Sequence, residues 1–251
     1  MKLLLTMAGL GSRFKSAGYA KEKHEIEFRG HTLLEWSLAS LCNFRQCPLI
    51  LITRDFEGIV ATLIETCDRL GFEDRHFIVI DRVTRGQAET AILAEPCFES
   101  DDSILIFNTD TFVDPNFLRP EDIRGSAWIP TFEAPGDKWS FVEADDEGRI
   151  IRTTEKQRIS NDCSIGAYFF DSFFEFKSLV DKAQETGELY VAPLYNDWLS
   201  THPEGFLHRL PSHSVTILGT PEDLELANQL DLPVWPKSCV GKPALDSIHE
   251  R

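Results

Sequence analysis

Short, largely apolar runs alternate with segments of helical spacing through the first half of this chain, and this alternation limits the possible folds most. Runs of this kind are typical of parallel strands that are covered on both faces. The predicted strands are Lys2–Thr6, Pro48–Thr53, His76–Asp81 and Ser103–Asn108. The predicted helices are Leu33–Phe44, Phe56–Leu70 and Gln87–Glu95. The pattern predicts a Rossmann-like, three-layer α/β/α fold with a mostly parallel mixed sheet.

The second half has a different rhythm. The turn signal at 145–148 lies between two strand patterns, Ser140–Ala144 and Arg149–Thr154, and predicts an inserted β-hairpin. Other strands are predicted at Ala127–Phe132, Cys163–Phe170, His208–Leu210 and Val215–Leu218. Helices are predicted at Phe173–Thr186, Ala192–Ser200 and Pro221–Gln229. We expect one domain over residues 1–232, followed by an extended C-terminal tail at 233–251.

Charge and cysteine usage exclude several function classes. The formal net charge is −16, so the chain repels DNA and RNA phosphates and a nucleic-acid partner is not expected. Its six cysteines form no CxxC pair, which predicts free thiols in a reducing compartment rather than a zinc site. The first apolar run is too short for a signal peptide or a membrane helix, so we expect a cytoplasmic location and no membrane partner.

A two-glycine loop follows the first strand, with sequence Gly9-Leu10-Gly11-Ser12-Arg13. The glycines allow backbone N–H groups to approach phosphate oxygens, and Arg13 with two nearby lysines, Lys21 and Lys23, supplies positive charge. The loop is neither GxGxxG nor a Walker A motif. It predicts a polyphosphate site, with a surface arginine in a tight turn as the alternative.

Three further short segments fit a nucleotide site. Asp110 ends the fourth strand, where one carboxylate suffices to hold Mg²⁺ against phosphates, although it also fits a turn cap. Gly86 and Gln87 begin a helix, where an amide side chain is suited to a base edge, although an ordinary helix start fits equally. Glu155 and Lys156 follow the hairpin, and gain a role only if the hairpin folds over the site.

An ordered set of segments resembles the nucleoside-diphosphate-sugar pyrophosphorylases, which are sugar-phosphate nucleotidyltransferases. The segments are MAGLGSRF at 7–14, AGY at 17–19, TRGQAETAILA at 84–94, FNTD at 107–110, FVEADDEGRIIRTTEK at 141–156 and LGTPEDLELAN at 218–228. Each segment alone is common in proteins, but their order along the chain is specific to this family. The resemblance covers most of the chain and implies a nucleotide-binding half at 1–112 and an acceptor-binding half at 113–232.

The resemblance also implies a reaction and a role for each candidate residue. A sugar 1-phosphate oxygen would attack the α-phosphorus of an NTP in line, releasing pyrophosphate and giving an NDP-sugar for surface polysaccharide synthesis. Arg13 and Lys23 would be catalytic, Asp110 would bind Mg²⁺, and Glu155 and Lys156 would bind the acceptor. The implied nucleotide-binding residues are Ala8, Gly9, Leu10, Gly11, Ser12, Gly86 and Gln87.

Two departures from the family pattern leave alternatives open. The lysine segment reads Glu22-Lys23-His24-Glu25 instead of containing Pro-Lys, so Lys21 is an alternative counterpart. Ile217 occupies the position where many relatives have a second metal aspartate. The alternative functions are a cytidylyltransferase for a phosphorylated non-sugar acceptor, and a non-catalytic nucleotide or sugar-nucleotide sensor. A glycosyltransferase is less well supported, because the DxD metal motif is missing. Homo-oligomers are possible.

Overall fold

A computed structural model describes residues 1–183 and 187–239. The strands are β1 Lys2–Met7, β2 Glu27–Phe28, β3 His31–Thr32, β4 Leu49–Arg54, β5 Arg75–Ile80, β6 Ile104–Phe107, β7 Thr111–Val113, β8 Ala127–Glu133, β9 Ser140–Ala144, β10 Ile150–Glu155, β11 Asp162–Ser164, β12 Ala167–Phe170, β13 Gly205–Arg209 and β14 Val215–Ile217. The α-helices are α1 Ser12–Ser16, α2 Leu33–Ser40, α3 Ile59–Leu70, α4 Gln87–Ile92, α5 Phe173–Lys182, α6 Leu194–Thr201 and α7 Pro221–Gln229.

One ten-stranded mixed sheet runs through both halves of the chain. Its order is β10-β9-β11-β8-β12-β6-β1-β4-β5, with β13 beside β8. The strands β6, β1, β4 and β5 are parallel, and β12 joins them to the second half by antiparallel pairing with β6 and β8. The carboxyl ends of β1, β4 and β6 therefore meet at one rim, where open α/β sheets bind ligands.

Two hydrophobic layers cover the faces of the sheet. In β1, Leu3 and Leu5 face the layer built from α2, α3 and α7, whereas Leu4 faces the layer built from α4, α5 and α6. This alternation follows from the two-residue period of a strand, and the apolar run supplies a buried side chain to each layer. The three-layer α/β/α fold expected from the sequence is confirmed.

Several predicted elements differ in detail from the structure. The stretch Cys163–Phe170, predicted as one strand, is two strands separated at Ile165 and Gly166. At this break Gly166 has φ of 82°, and the Asn108 side chain donates from Nδ2 to the Ile165 carbonyl at 3.3 Å. A Cβ on Gly166 would lie 1.9 Å from Asn108 Nδ2, so the break makes room for that amide. The short helix α1 and the strand β7 were not predicted.

The inserted hairpin is present as β9 and β10, which are paired antiparallel. Its turn is fixed by Asp145, which accepts hydrogen bonds from the backbone N–H groups of Glu147 and Arg149 at 3.0 Å and 2.8 Å. Gly148 has φ of 80°, a conformation that glycine adopts without strain. The hydrogen bonds of Asp145 and the conformation of Gly148 therefore explain the turn signal in the sequence.

The described part of the C-terminal tail packs against α2. Trp235 stacks on the His31 ring with centroids 3.4 Å apart, and Cys239 is buried with its thiol donating to the Ala39 carbonyl. Residues 240–251, and residues 184–186 of the predicted helix Phe173–Thr186, lie outside the described residues. All six cysteines are free thiols. No helix in the described ranges is long and apolar enough to span a membrane.

Candidate active site

A cleft of about 710 Å³ opens at the rim formed by the carboxyl ends of the parallel strands. Every residue given a site role from the sequence lies on its wall, whereas the alternative lysine, Lys21, does not. These residues are Ala8, Gly9, Leu10, Gly11, Ser12, Arg13, Lys23, Gly86, Gln87, Asp110, Glu155 and Lys156. They come from positions up to 148 residues apart, the difference between 156 and 8, so the fold brings the separate motifs together.

The glycine loop forms one end of the cleft. Gly11 has φ of 64° and precedes α1, whose Phe14 is buried and anchors the loop to the core. A Cβ on Gly11 would lie 3.4 Å from the Lys23 Cβ, so the loop and the lysine segment are in close contact. The exposed side chain of Arg13 and the exposed backbone of Gly9 are accessible from the cleft. This end offers backbone N–H groups and one guanidinium.

Lys23 and Asp110 meet at the centre of the cleft. The Lys23 Nζ lies 3.0 Å from the Asp110 Oδ2, and both side chains are partly exposed. By contrast, Lys21 is not on the cleft wall and pairs with Glu27 on the exposed surface at 2.7 Å. The structure therefore brings Lys23, and not Lys21, to Asp110, which follows strand β6.

The two acids that flank Lys23 are engaged by other groups. Glu22 lies 2.7 Å from the Lys15 Nζ and 3.8 Å from an Arg54 nitrogen. Glu25 accepts a hydrogen bond from the Glu22 backbone N–H at 3.2 Å. The short 3₁₀ helix Lys23–Glu25 is thus capped by the same acids that distinguish this segment from the family pattern. They do not contact the Lys23 ammonium in the described structure.

Gly86 and Gln87 line the cleft beside a segment of the second half. The backbone of Leu189 donates to the Arg85 carbonyl at 2.8 Å and accepts from the Ala88 N–H at 3.2 Å. Gly86 has φ of 152°, and a Cβ there would lie 2.4 Å from the Leu189 carbonyl oxygen. The Gln87 Nε2 is buried and has no hydrogen-bond partner among the described residues. A buried N–H donor without a partner is suited to donate a hydrogen bond to a bound ligand.

Side chains of the hairpin and of the segment after α5 form the opposite end. Burial raises the pKa of Glu155, and its Oε2 accepts a hydrogen bond from the Ser140 hydroxyl. The Lys156 ammonium lies over the Tyr190 ring, 4.4 Å from the centroid, and 3.9 Å from a carboxylate oxygen of Glu188. A hydrogen bond with the Tyr190 hydroxyl raises the pKa of Lys156, which therefore carries its charge at neutral pH.

Tyr168 extends the polar network at this end of the cleft. Its hydroxyl donates to the Ser140 Oγ at 3.1 Å, and burial raises the pKa of Tyr168 to about 12. Because Ser140 in turn donates to Glu155, a chain of hydrogen bonds holds the acidic group in place. The hairpin strand β9 and the second-half strand β12 thus jointly orient Glu155.

Lys138, Trp139 and Asp223 also line the cleft, and the sequence analysis did not single them out. The Lys138 Nζ lies 2.9 Å from the Asp223 Oδ1 and 4.9 Å from the centre of the Trp139 ring. Asp223 is in the first turn of α7, where it also fits an ordinary capping pattern with Thr220. The basic-aromatic pair before β9 was the available signal, but such pairs are common on surfaces.

The donor set at the centre of the cleft suits Mg²⁺. Asp110 supplies a partly exposed carboxylate, and Mg²⁺ prefers oxygen ligands and uses only one or two protein carboxylates beside phosphates and water. Ile217 lines the cleft and adds no ligand, and the next acid on the cleft wall is Asp223, six residues further along the chain. Within residues 1–183 and 187–239, no three His, Cys, Asp or Glu side chains form a metal cluster.

Comparisons with known proteins identify the family and the fold. No family model matches the chain. A solved nucleoside-diphosphate-sugar pyrophosphorylase from Vibrio cholerae RC9 is 31% identical, with a TM-score of 0.81, and the match covers 92% of this chain and 100% of that one. The inositol-1-phosphate CTP transferase from T. maritima is 18% identical, with a TM-score of 0.73, and the match covers 93% of this chain and 98% of that one. This second likeness supports the shared fold alone.

A curated relative, the mannose-1-phosphate guanylyltransferase catalytic subunit beta from Dictyostelium discoideum, is 21% identical over 180 residues. The match covers 68% of this chain but only 50% of that protein, so the chain spans about half the length of this relative. The Vibrio cholerae match, by contrast, runs over the full length of its partner at higher identity. The chain therefore belongs to the nucleoside-diphosphate-sugar pyrophosphorylase family of nucleotidyltransferases.

Proposed function

We propose that this protein joins an NTP and a sugar 1-phosphate to give an NDP-sugar and pyrophosphate. One observation supports the proposal: the glycine loop, the Lys23–Asp110 pair and Lys156 line one cleft, and β6, which precedes Asp110, lies between β1 and the hairpin in the sheet order. A direct transfer needs two phosphorylated substrates side by side, with cations where their charges meet. This arrangement supplies both requirements in one continuous space.

The nucleotide occupies the glycine-loop end in this proposal. Backbone groups from Ala8 to Ser12 surround the phosphates, and Arg13 stabilises the negative charge that develops on the leaving pyrophosphate. Gly86 allows the base to approach the backbone closely, and the buried amide of Gln87 hydrogen-bonds to the base edge. This assignment gives the unpaired Gln87 donor a partner.

Lys23 and Asp110 act together at the reacting α-phosphate. When phosphates enter, the Lys23 ammonium exchanges its contact with Asp110 for a phosphate oxygen, and the freed carboxylate can hold Mg²⁺. Bound Mg²⁺ would neutralise phosphate charge and favour departure of pyrophosphate. Lys23 is the better candidate than Lys21, because the Lys21 ammonium is held by Glu27 outside the cleft.

The acceptor occupies the hairpin end. Lys156 binds the acceptor phosphate, and its raised pKa keeps it charged at neutral pH. Glu155 is oriented by Ser140 and is suited to accept hydrogen bonds from acceptor hydroxyl groups. We further propose that the product serves surface polysaccharide synthesis, and that the enzyme works in the cytoplasm; its six free thiols support a reducing compartment.

A second candidate is a cytidylyltransferase that uses a phosphorylated non-sugar acceptor. Trp139 and Tyr190 favour it, because two aromatic side chains beside Lys156 offer apolar surface to an acceptor with few hydroxyl groups. The inositol-1-phosphate CTP transferase from T. maritima, which has the same fold, is named for an acceptor outside the sugars; that acceptor is a polyol, so the example supports the class of non-sugar acceptors and not a low number of hydroxyl groups. The two candidates share the nucleotide end and differ only in the acceptor.

Pyrophosphate release tests the proposal. The full chain is incubated with Mg²⁺, each NTP in turn, and a panel of sugar 1-phosphates and phosphorylated alcohols. We expect release with one NTP and a sugar 1-phosphate, and release only with CTP and a non-sugar acceptor would favour the second candidate. NTP binding without release from any pair, unchanged in Arg13→Ala and Asp110→Ala, would favour the sensor and contradict both candidates.

A further inference from the structure

The free edge of the central sheet carries a self-complementary charge pattern. The strand β5 is the last in the sheet order, and within the described residues it pairs only with β4. The sequence through this edge is DRHFIVIDR, residues 74–82. If two copies of this segment pair antiparallel about Ile78, then Asp74 faces Arg82 and Arg75 faces Asp81, each in both directions. Opposite charges then meet at both ends of an apolar centre.

The backbone hydrogen-bonding pattern agrees with that centre. The carbonyl groups of Asp74 and Ile80 accept from the backbone N–H groups of Leu49 and Asp55, at 2.9 Å and 3.0 Å. Because N–H and C=O groups alternate sides along a strand, those of residues 75, 77 and 79 point to the free edge, and so does the N–H of Asp81, which shares a peptide unit with the Ile80 carbonyl. Antiparallel pairing about Ile78 places residue 77 opposite 79 and residue 75 opposite 81. The outward-facing groups of residues 77 and 79, and the N–H of Asp81, thus gain partners of the correct type.

An exposed apolar ridge lies beside the same edge. Val60 and Ile64 on α3 and Val79 on β5 are each about two-fifths exposed. Asp68 continues the Val60–Ile64 ridge by one turn, and its carboxylate lies 2.6 Å from Arg75, so the ridge is on the flank of α3 that borders β5. Val60 lies about 12 Å along the helix from Asp68, and Val79 lies about 13 Å along the strand from Arg75. Val60 and Val79 therefore lie at about the same level along the direction of β5.

Two-fold symmetry about Ile78 aligns these ridges. The axis passes α3 about midway between Val60 and Ile64, so Val60 of one copy meets Ile64 of the other. A helix that packs over β4 and β5 and its two-fold mate lie about 10 Å apart, which is a normal helix packing distance. Strand pairing and helix packing thus require the same axis, although the two features are independent in the sequence.

The charged side chains at the edge have exposed or unused groups that can make these contacts. Arg75 uses only its Nη1 for Asp68 and for the Phe72 carbonyl, so its Nη2 remains available in the described structure. Asp74 and Arg82 have half or more of their side chains exposed. Arg82 pairs with Glu89 at 2.9 Å, and Arg85 contacts the same carboxylate at 3.2 Å, so Glu89 keeps a cationic partner when Arg82 turns to the other copy. Isolated sheet edges of this kind are normally covered or blocked in proteins.

We propose that a second copy of this chain pairs antiparallel with β5 about Ile78, which makes one continuous sheet across a homodimer. The interface is on the edge strand and α3. It does not depend on the proposed reaction, so its failure would leave the proposed function unaffected. The occupant is a second copy because the segment complements itself, which an unrelated partner would not require.

Light scattering coupled to size exclusion tests the dimer with the full chain. We expect a mass of twice 28.5 kDa for the unaltered protein. Val79→Lys should give monomers that keep the circular dichroism spectrum of the unaltered protein. Ile151→Lys is the matched control, because Ile151 is 58% exposed on β10 at the opposite edge of the same sheet, and it should remain dimeric. A monomeric unaltered chain, or a Val79→Lys dimer, would overturn the proposal.

A charge-exchange experiment tests the register. Asp74→Arg and Arg82→Asp should each weaken the dimer at least about tenfold, because like charges then face each other. An equimolar mixture of the two variants should recover dimers, since each variant supplies the charge that the other lacks. The two positions lie about 26 Å apart in one chain, so recovery cannot arise within a copy. No recovery contradicts the register.

Discussion

In the proposed assignment, glycines shape the nucleotide end of the cleft, whereas side-chain ion pairs and hydrogen bonds form the acceptor end. Gly9, Gly11 and Gly86 shape the first end, and the positive φ of Gly11 and Gly86 fixes the path of the chain there. Glu155 and Lys156 belong to a network of ion pairs and hydrogen bonds at the second end. Backbone N–H groups remain whatever side chain a position carries, whereas a side-chain contact is lost with one substitution. We therefore expect substitutions at the acceptor end to affect acceptor binding more than nucleotide binding.

The largest effect is expected from Lys23, which lies between the two ends. Lys23→Ala should lower kcat/KM by about 100-fold or more, because it removes a cation aimed at charge in the transition state. Lys21→Ala is the matched control two residues away, and it should change kcat/KM less than about threefold, since an exposed ion pair contributes little. Steady-state pyrophosphate release measures both. Equal losses in the two variants would remove the distinction drawn between these lysines.

A smaller effect, on both stability and binding, is expected at Gly86. Gly86→Ala places a Cβ 2.4 Å from the Leu189 carbonyl, at a φ that alanine rarely adopts, and should destabilise the protein by about 1–3 kcal/mol. It should also weaken NTP binding, because this contact joins the two ends. Urea unfolding and NTP titration measure the two effects.

Gly9→Ala is the matched control for the backbone end. A Cβ on Gly9 meets nothing within 4 Å, so its stability should be nearly unchanged while NTP affinity falls through obstruction of the phosphates. A large stability loss in Gly9→Ala, or none in Gly86→Ala, would contradict the difference expected between the glycine loop and the Gly86–Leu189 contact.

A loss confined to the acceptor is expected from the side-chain end. Lys156→Ala should raise the acceptor KM about 10-fold to 100-fold, the cost of one hydrogen bond to a charged group, and leave the NTP KM within about threefold. Tyr190→Phe keeps the ring beneath Lys156 and removes only the hydroxyl, so its effect should be smaller. Matching increases in both KM values for Lys156→Ala would mean that the two ends are not separable.

The smallest effect concerns the titration of Glu155. Burial raises the pKa of Glu155, so the folded state favours the protonated form more than the unfolded state does. Its stabilising contribution is complete below the pKa of an unfolded-chain glutamate and is lost as the pH rises through the raised pKa. Glu155→Gln cannot ionise, so the stability advantage of the unaltered protein over this variant should fall as pH rises. Urea midpoints over that pH range measure it, and a rising difference would contradict the direction.

The same contrast explains what could be predicted from the sequence. The fold was predictable because apolar runs and helical spacing have different periods. The position of Asp110 on the cleft wall was predictable because the carboxyl ends of parallel strands meet at one rim. Lys138 and Trp139 were missed, since their position beside Asp223 depends on a loop between distant elements. The break at Gly166 was missed for a similar reason: its cause is Asn108 on a different strand. Contacts between side chains of separate elements have no local pattern.

In the proposed reaction, the α-phosphorus of the NTP passes to the acceptor within this cleft. Parallel reactions with α-labelled and γ-labelled NTP, Mg²⁺ and the acceptor that supports pyrophosphate release follow each phosphorus directly. We expect α-label in a nucleotide joined to the acceptor and γ-label in pyrophosphate, with both lost in Asp110→Ala. Transfer of γ-label to the acceptor, or α-label found only in free NMP, would contradict it.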